Sequence, residues 1–254
     1  MLRIACTLLL LLFLSNAHSQ IPVLQWAKQF GSSDPNDIYG DGGNSVAIDA
    51  QGNVYSAGGF YYTVDFDPGP GVYNMTAQGP FNQNMYISKL SPSGEFIWAK
   101  QLPPYGPLAM TLDQQANIYI TGSFQRAGDF DPGPGVYTLT PIGAKDVFII
   151  KLNANGELLW VKQFGGKGDT VPEGTALTLD NNGDVIVCGA FNNVVDFDPG
   201  PQTFELSAVG FESFITKLSP DGAFKWAKKL GNCPTKFDGV AIIDVACDRN
   251  GNIY

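Results

Sequence analysis

The sequence predicts an all-β protein, specifically a β-propeller built of four-stranded antiparallel blades. The first observation is a repeated string, Asp-Phe-Asp-Pro-Gly-Pro, which begins at Asp65, Asp129 and Asp196. The second is a recurring tryptophan, found at Trp26, Trp98, Trp160 and Trp226. Both markers repeat about every 65 residues, and self-similarity at a fixed period of this kind indicates a repeat architecture.

Each repeat contains four short strand-like segments separated by turn chemistry. In the first full repeat these segments are 45–49, 54–58, 85–90 and 96–100. Gly and Asn between the first two segments, and Ser-Gly between the last two, are typical of tight hairpins. Two hairpins per repeat make a four-stranded sheet that needs neighbours to cover its apolar faces, and radial stacking of such sheets is a propeller. A β-solenoid and a row of independent β-sandwiches remain the alternatives.

The repeats define the expected boundaries along the chain. We place full units at about 44–102, 108–164 and 174–230, a partial unit at 239–254, and a lone blade strand at 24–30, all within a repeat domain spanning 20–254. Three full units plus partial ones predict an incomplete propeller, truncated at its C-terminus.

The first 19 residues predict a secretory signal peptide. Arg3 precedes the apolar run 8–14, and Ala17-His18-Ser19 provides small residues for cleavage before Gln20. This run is too short for a transmembrane helix, which needs about 20 apolar residues. We therefore expect a secreted or cell-surface protein without a membrane span.

Charge and histidine content exclude several classes of function. The formal charge of −9 becomes −10 after cleavage, because Arg3 is the only charged residue lost, and an acidic chain is a poor partner for nucleic acid. His18 is the sole histidine and leaves with the signal, which excludes histidine-based catalysis and histidine-ligated metals from the mature protein. Cys233 and Cys247 could form a disulfide bond, although their spacing alone does not establish one.

The combined pattern resembles a known repeat family. It is carried by Asp49-Ala-Gln-Gly-Asn-Val-Tyr, Val64-Asp-Phe-Asp-Pro-Gly-Pro-Gly and Tyr86-Ile-Ser-Lys-Leu-Ser-Pro-Ser-Gly-Glu-Phe-Ile-Trp-Ala-Lys. These strings resemble the bacterial β-propeller repeats often called SBBP repeats, and the resemblance covers nearly all of 24–254. It implies an exported propeller with no common enzymatic activity, often attached to a C-terminal secretion or adhesion module.

The paired aspartates of the repeated string are the candidate metal ligands. They are Asp65 and Asp67, Asp129 and Asp131, and Asp196 and Asp198. Residues two apart on an extended strand share a face, so each pair predicts two adjacent carboxylates, with calcium as the cation suited to them. In the alternative interpretation, the aspartates accept backbone N–H bonds and cap the Pro-Gly-Pro turn, while the intervening phenylalanine anchors the core.

Two other recurrent residues have structural interpretations. The tryptophans predict packing between neighbouring blades. Lysines recur at 89, 151 and 217 in the third strand-like segment, where they could neutralise the paired aspartates.

These observations favour a secreted, non-enzymatic scaffold or binding and adhesion module, with a glycan or a cell-surface protein as partner. The alternative is an extracellular carbohydrate-active enzyme, a hydrolase or lyase that uses carboxylates only. A unique active site should break the repeat, whereas most acids here follow it. The unit-specific exceptions are Glu173, Glu205 and Glu212.

Overall fold

The computed structural model describes residues 24–32, 41–78, 83–103, 107–231 and 242–254. Within these residues every regular element is a β-strand, and the three full repeats form three separate four-stranded antiparallel sheets. The predicted all-β architecture of four-stranded blades is confirmed. The signal peptide and Cys233 lie outside the described residues.

Each blade is an up-and-down meander of four strands. Blade 1 contains β2 (Gly42–Ile48), β3 (Val54–Tyr61), β6 (Gln83–Leu90) and β7 (Phe96–Leu102). Blade 2 contains β8 (Pro107–Leu112), β9 (Ile118–Phe124), β12 (Asp146–Leu152) and β13 (Leu158–Phe164). Blade 3 contains β14 (Glu173–Leu179), β15 (Val185–Asp196), β16 (Glu205–Leu218) and β17 (Phe224–Leu230). We call the four strands of each blade first to fourth, in chain order.

The repeated aspartate string lies in the connection between the second and third strands. Short hairpins form there from β4 (Thr63–Asp65) with β5 (Asn74–Thr76), and from β10 (Gly128–Asp129) with β11 (Thr138–Leu139). In blade 3 the hairpin is continuous with β15 and β16. Because the strands alternate in direction, these hairpins lie at one end of each blade and the two tight turns lie at the other.

In blades 1 and 3 the hairpin pairs with the chain segment that precedes the blade. The strand β1 (Gly31–Ser32) pairs with β4 through Gly31 and Asp65, and the matching bridge in blade 3 joins Gly165 and Asp196. Phe66 lies 5.5 Å from Phe30 between ring centroids, and 4.9 Å from Tyr86 of its own blade. The ring therefore packs against its own sheet and against the chain segment that precedes the blade.

The other two copies of this phenylalanine also pack against neighbouring aromatic rings. Phe130 lies 5.2 Å from both Phe124 and Phe148, and Phe197 lies 4.8 Å from Phe214 and 5.8 Å from Phe164. Phe66, Phe130 and Phe197 are all fully buried. The predicted inward orientation of this phenylalanine is confirmed.

Tryptophans join the other end of neighbouring blades, as predicted. The Trp160 indole N–H donates to the Pro220 carbonyl of the next blade at 3.2 Å. The Trp98 ring lies against the turn at Gly156, where an added Cβ would come within 3.3 Å of the ring. Since Gly156 also has a φ of 76°, both the backbone and the packing favour glycine there.

The lone strand predicted at 24–30 is not formed. Residues 24–30 have no strand hydrogen bonding, and regular pairing in this part of the described chain is confined to β1. A strand needs a partner, and no third strand lies beside this segment in the described ranges. Trp26 nevertheless takes the position of a fourth-strand tryptophan, because its N–H donates to the Pro92 carbonyl at 2.9 Å.

We expect F130A to destabilise the protein by about 3–5 kcal/mol, since the ring is completely buried between two other phenylalanines. V136A is the matched control, because Val136 lies on the same hairpin but is 77% exposed. Urea unfolding followed by circular dichroism provides the measurement. Equal midpoints for the two variants would contradict an anchoring role for the ring.

Candidate functional site

A groove between the turn ends of blades 2 and 3 is the strongest candidate binding site. Its volume is about 400 Å³. It is lined by the turns between the first and second strands of blades 2 and 3, which we call the first turns, together with Tyr119, Lys151 and Pro220. The residues that these turns contribute are Leu112, Asp113, Gln114, Gln115, Asn117, Leu179, Asp180, Asn181, Asn182 and Gly183. The lining is dominated by amide and carboxylate side chains, with one aromatic ring.

Each first turn is organised by one aspartate. The Asp113 carboxylate accepts from the backbone N–H of Gln115 at 2.9 Å and of Asn117 at 2.8 Å. Its other oxygen accepts from the Asn117 amide at 2.8 Å and from the Tyr119 hydroxyl at 3.4 Å. Asp49 makes the same set of contacts in blade 1. These bonds fix the turn, so that Gln114 and Gln115 lie exposed at its tip.

The hydrogen bonds also set the ionisation of these groups. Burial raises the pKa of Asp49, but the bonds from Asn53, Tyr55 and Gln51 outweigh it, and the net pKa lies below the ordinary value. Burial, together with the adjacent Asp113 carboxylate, raises the pKa of Tyr119. Asp49 is therefore an anion at neutral pH, and the Tyr119 hydroxyl keeps its proton and can donate it in a hydrogen bond.

The recurrent third-strand lysines contact residues of these turns or the tyrosine rings beside them. Lys89 lies 3.8 Å from Asp49 and 4.8 Å from the centre of the Tyr55 ring. Lys151 stands over Tyr119 at the same 4.8 Å and donates to the Pro220 carbonyl at 3.3 Å. The expectation that these lysines neutralise the paired aspartates is wrong for Lys89 and Lys217, whose ion pairs are with first-turn aspartates.

Blade 3 departs from this pattern in a way that the sequence analysis missed. Its first turn carries Asp184 where the other units have asparagine, and Ile186 where they have tyrosine. Lys217 lies 2.6 Å from Asp180 and 3.1 Å from Asp184, and Lys225 lies 2.6 Å from Asp184. The signal was present in the sequence, because Lys225 replaces an apolar residue found at this place in the other blades.

This ion-pair network gives Asp180 a structural role. Burial raises its pKa, but the bonds from Lys217 and from the turn backbone dominate, and the pKa falls below the ordinary value. A general acid in glycoside cleavage needs a raised pKa, which is the opposite of this effect.

The paired aspartates of the repeated string lie at the hairpin end, away from the groove. Asp65 accepts from the backbone N–H of Asp67 at 3.0 Å and of Tyr73 at 2.8 Å. Asp67 accepts from the N–H of Gly69 at 2.8 Å. Asp129 with Asp131, and Asp196 with Asp198, repeat these contacts. The capping interpretation is therefore observed in all three hairpins.

The calcium assignment for these pairs stays a prediction. In the part of the chain that the structure describes, no three Asp, Glu, Cys or His side chains group closely enough to hold a metal ion. A cavity of about 330 Å³ adjoins Asp65 and Asp67, and another of about 480 Å³ adjoins Asp196.

The unit-specific glutamates are separated from one another. Glu173 pairs with Lys145 at 2.5 Å, and buried Glu212 pairs with Lys229 at 2.7 Å. Glu205 lies opposite Asp196 in the blade 3 hairpin and lines the cavity there.

A buried polar residue lies five positions before the recurrent lysine in the third strand of every blade. These residues are Asn84, Asp146 and Glu212. In blades 2 and 3 this residue contacts the equivalent place in the fourth strand, which is Gln163 for Asp146 and Lys229 for Glu212. Asn84 instead donates to the Leu102 carbonyl at 2.8 Å. Asp146 is completely buried and accepts from the Ile142 N–H at 2.8 Å and from the Gln163 amide. Burial raises its pKa above the ordinary value, and these hydrogen bonds offset the effect only in part.

Of the comparisons with known proteins, one agrees with a repeat architecture. No protein-family model matches the chain. An uncharacterized WD repeat-containing protein, L264, of Acanthamoeba polyphaga mimivirus is 30% identical over 196 residues, which is 65% of this chain but only 13% of that protein. A solved protein of unknown function from Bacteroides caccae aligns over 75% of this chain and 82% of its own at 12% identity, with a TM-score of 0.26, which is too low to carry a fold argument.

We expect D129A to lower the free energy of unfolding by about 1–2 kcal/mol, because two backbone N–H groups lose their acceptor. D129N keeps the accepting oxygen and should unfold near the wild-type midpoint. Both variants are measured by urea unfolding with and without a chelator. A chelator-induced loss of stability that D129N abolishes would contradict a purely capping role and support calcium.

We expect D146N to be more stable than wild type at neutral pH, with the advantage shrinking as the pH falls. The raised folded-state pKa means that the folded protein holds the Asp146 proton more tightly than the unfolded chain. Lowering the pH through this pKa towards the ordinary value near 3.8 thus stabilises wild type but not D146N. D169N, at an exposed aspartate, is the control in unfolding titrations at several pH values. A pH-independent difference would contradict the assignment.

Proposed function

We propose that this chain is a secreted, non-enzymatic β-propeller scaffold that binds neutral glycans of a cell surface through the groove between blades 2 and 3. The groove carries the proposal. It presents exposed amide side chains on turns that hydrogen bonds hold in place. Amides both donate and accept hydrogen bonds, as sugar hydroxyls do, so a row of them suits a hydroxyl-rich ligand.

The charges of the groove support a neutral ligand. Asp113 is satisfied by its own turn, and Asp180 is paired with Lys217. Lys151 is directed to the Tyr119 ring and the Pro220 carbonyl. The groups left at the turn tips, among them Gln114 and Gln115, are uncharged.

The extracellular location and the SBBP family are part of the same proposal. The apolar N-terminal run supports the location, and the repeated strings support the family. The similarity to a WD repeat-containing protein supports the repeat architecture. In the described ranges, no helix is long and apolar enough to cross a membrane.

We expect Q114A/Q115A to weaken glycan binding about tenfold, because two hydrogen bonds worth roughly 0.5–1.5 kcal/mol each are lost. A glycan array selects the ligand, and isothermal titration measures the wild type, the double variant and the control Q202A, which alters an exposed glutamine at the hairpin end.

A panel of glycan hydrolase and lyase assays is run on the same preparation. Binding without product release is the expected result. Release of product by the wild type would overturn the non-enzymatic proposal, and equal affinities for Q114A/Q115A and Q202A would overturn the placement of the site.

A further inference from the structure

The first turns of the three blades present the same side-chain chemistry on the same backbone. Counted from its organising aspartate, the third residue of each turn is an exposed amide. These amides, which we call the amide row, are Gln51, Gln115 and Asn182. Their N–H groups donate to the aspartate at 3.0, 2.9 and 2.8 Å, in chain order. The next residue of each turn has a positive φ, which is 84° at Gly52, 59° at Ala116 and 76° at Gly183. The turns therefore share one shape and present the amides in the same way.

Blades 1 and 2 meet beside these turns in the way that blades 2 and 3 do. Lys89 lies over the Tyr55 ring at 4.8 Å and donates to the Ala154 carbonyl of blade 2 at 3.4 Å. Lys151 makes the same two contacts, with its own tyrosine at 4.8 Å and with the Pro220 carbonyl of blade 3 at 3.3 Å. The first turns of blades 1 and 2 therefore lie side by side, as those of blades 2 and 3 do.

The amide row is uncharged, and the charged groups beside it are already occupied. Lys89 lies 3.8 Å from Asp49, and Lys217 lies 2.6 Å from Asp180. In blade 2 the Asp113 carboxylate accepts hydrogen bonds from its own turn. The row therefore offers neutral hydrogen-bond donors and acceptors on three successive blades.

The row extends beyond the groove between blades 2 and 3. Gln115 and Asn182 line that groove, whereas Gln51 lies on the next turn, outside its lining. One hydrogen bond between neutral groups changes an affinity only about two- to tenfold, so a ligand confined to one groove gains little. A linear ligand that crosses the blade 2 turn also reaches Gln51. Each further contact is then intramolecular, so that the affinity rises with the length of the ligand.

We propose that the amide row is one continuous binding surface for a linear neutral polysaccharide that crosses blades 1, 2 and 3. This inference rests on the proposed function and names the ligand class within it. The ligand is a polymer with hydroxyl groups repeated along its length, and not a single terminal sugar held in one groove. Gln51 is then a ligand-binding residue on blade 1, and the blade 2 turn is shared by the two halves of the row.

The test compares affinity with ligand length. Isothermal titration uses cello-, malto- and laminari-oligosaccharides from the disaccharide to the hexasaccharide, which are neutral glucans in three linkages. In the series that binds, the hexasaccharide should bind the wild type at least about tenfold more tightly than the disaccharide. Q51A should weaken hexasaccharide binding roughly three- to tenfold and leave disaccharide binding nearly unchanged, because the groove between blades 2 and 3 stays intact. Q114A/Q115A should weaken binding at every length.

Q202A, at an exposed glutamine of the hairpin end, is the matched control and should bind every ligand like the wild type. A longer ligand also gains affinity by offering more binding registers, but that gain persists in Q51A. Equal affinities at all lengths, or a length dependence that Q51A leaves intact, would overturn the continuous row while the groove of the proposed function stands. Failure of all three series to bind would also overturn the row, and a blank glycan array in addition would overturn the proposed function.

Discussion

The buried phenylalanine of the repeated hairpin is the contact on which the stack of blades depends. Phe66 and Phe197 each join three parts of the chain: their own hairpin, the third strand of their own blade, and the segment that precedes the blade. A four-stranded sheet alone leaves both faces open. The phenylalanine ring packs the hairpin end against the preceding part of the chain. At the other end, tryptophan contacts the turn between the third and fourth strands of the next blade, so each blade has a contact at both ends.

The strands of the blades could be predicted because turn-forming residues mark where each strand begins and ends. The second strand of blade 1 begins at Val54 and its fourth begins at Phe96, as the Gly and Ser-Gly turns predict. The segment 24–30 was predicted as a strand from its sequence match to fourth strands. It forms none, because strand formation depends on a partner and not on the segment alone.

The candidate site was harder to predict, since it lies between repeats rather than within one. Asp113 and Asp180 occupy equivalent positions in the sequence, and the groove exists only because blades 2 and 3 place their turns side by side. The sequence favours the paired aspartates instead, because residues two apart on an extended strand share a face. In the structure Asp67 lies beyond the end of β4, and both carboxylates accept backbone N–H groups of the same loop.

The substitutions in blade 3 show how a repeat tolerates divergence. Replacing the turn asparagine by Asp184 adds a charge at a site where the side chain is 3% exposed, and a lone buried carboxylate is costly. Lys217 and Lys225 both approach it, and Lys225 is itself a departure from the repeat. Glu212 in the third strand is likewise paired with Lys229, whereas the equivalent Asp146 accepts from the Gln163 amide and the Ile142 N–H. At Asp184 and Glu212 the added carboxylate is thus matched by lysine, which compensates its charge within the repeat. Asp146 has neutral hydrogen-bond donors instead, and burial therefore raises its pKa.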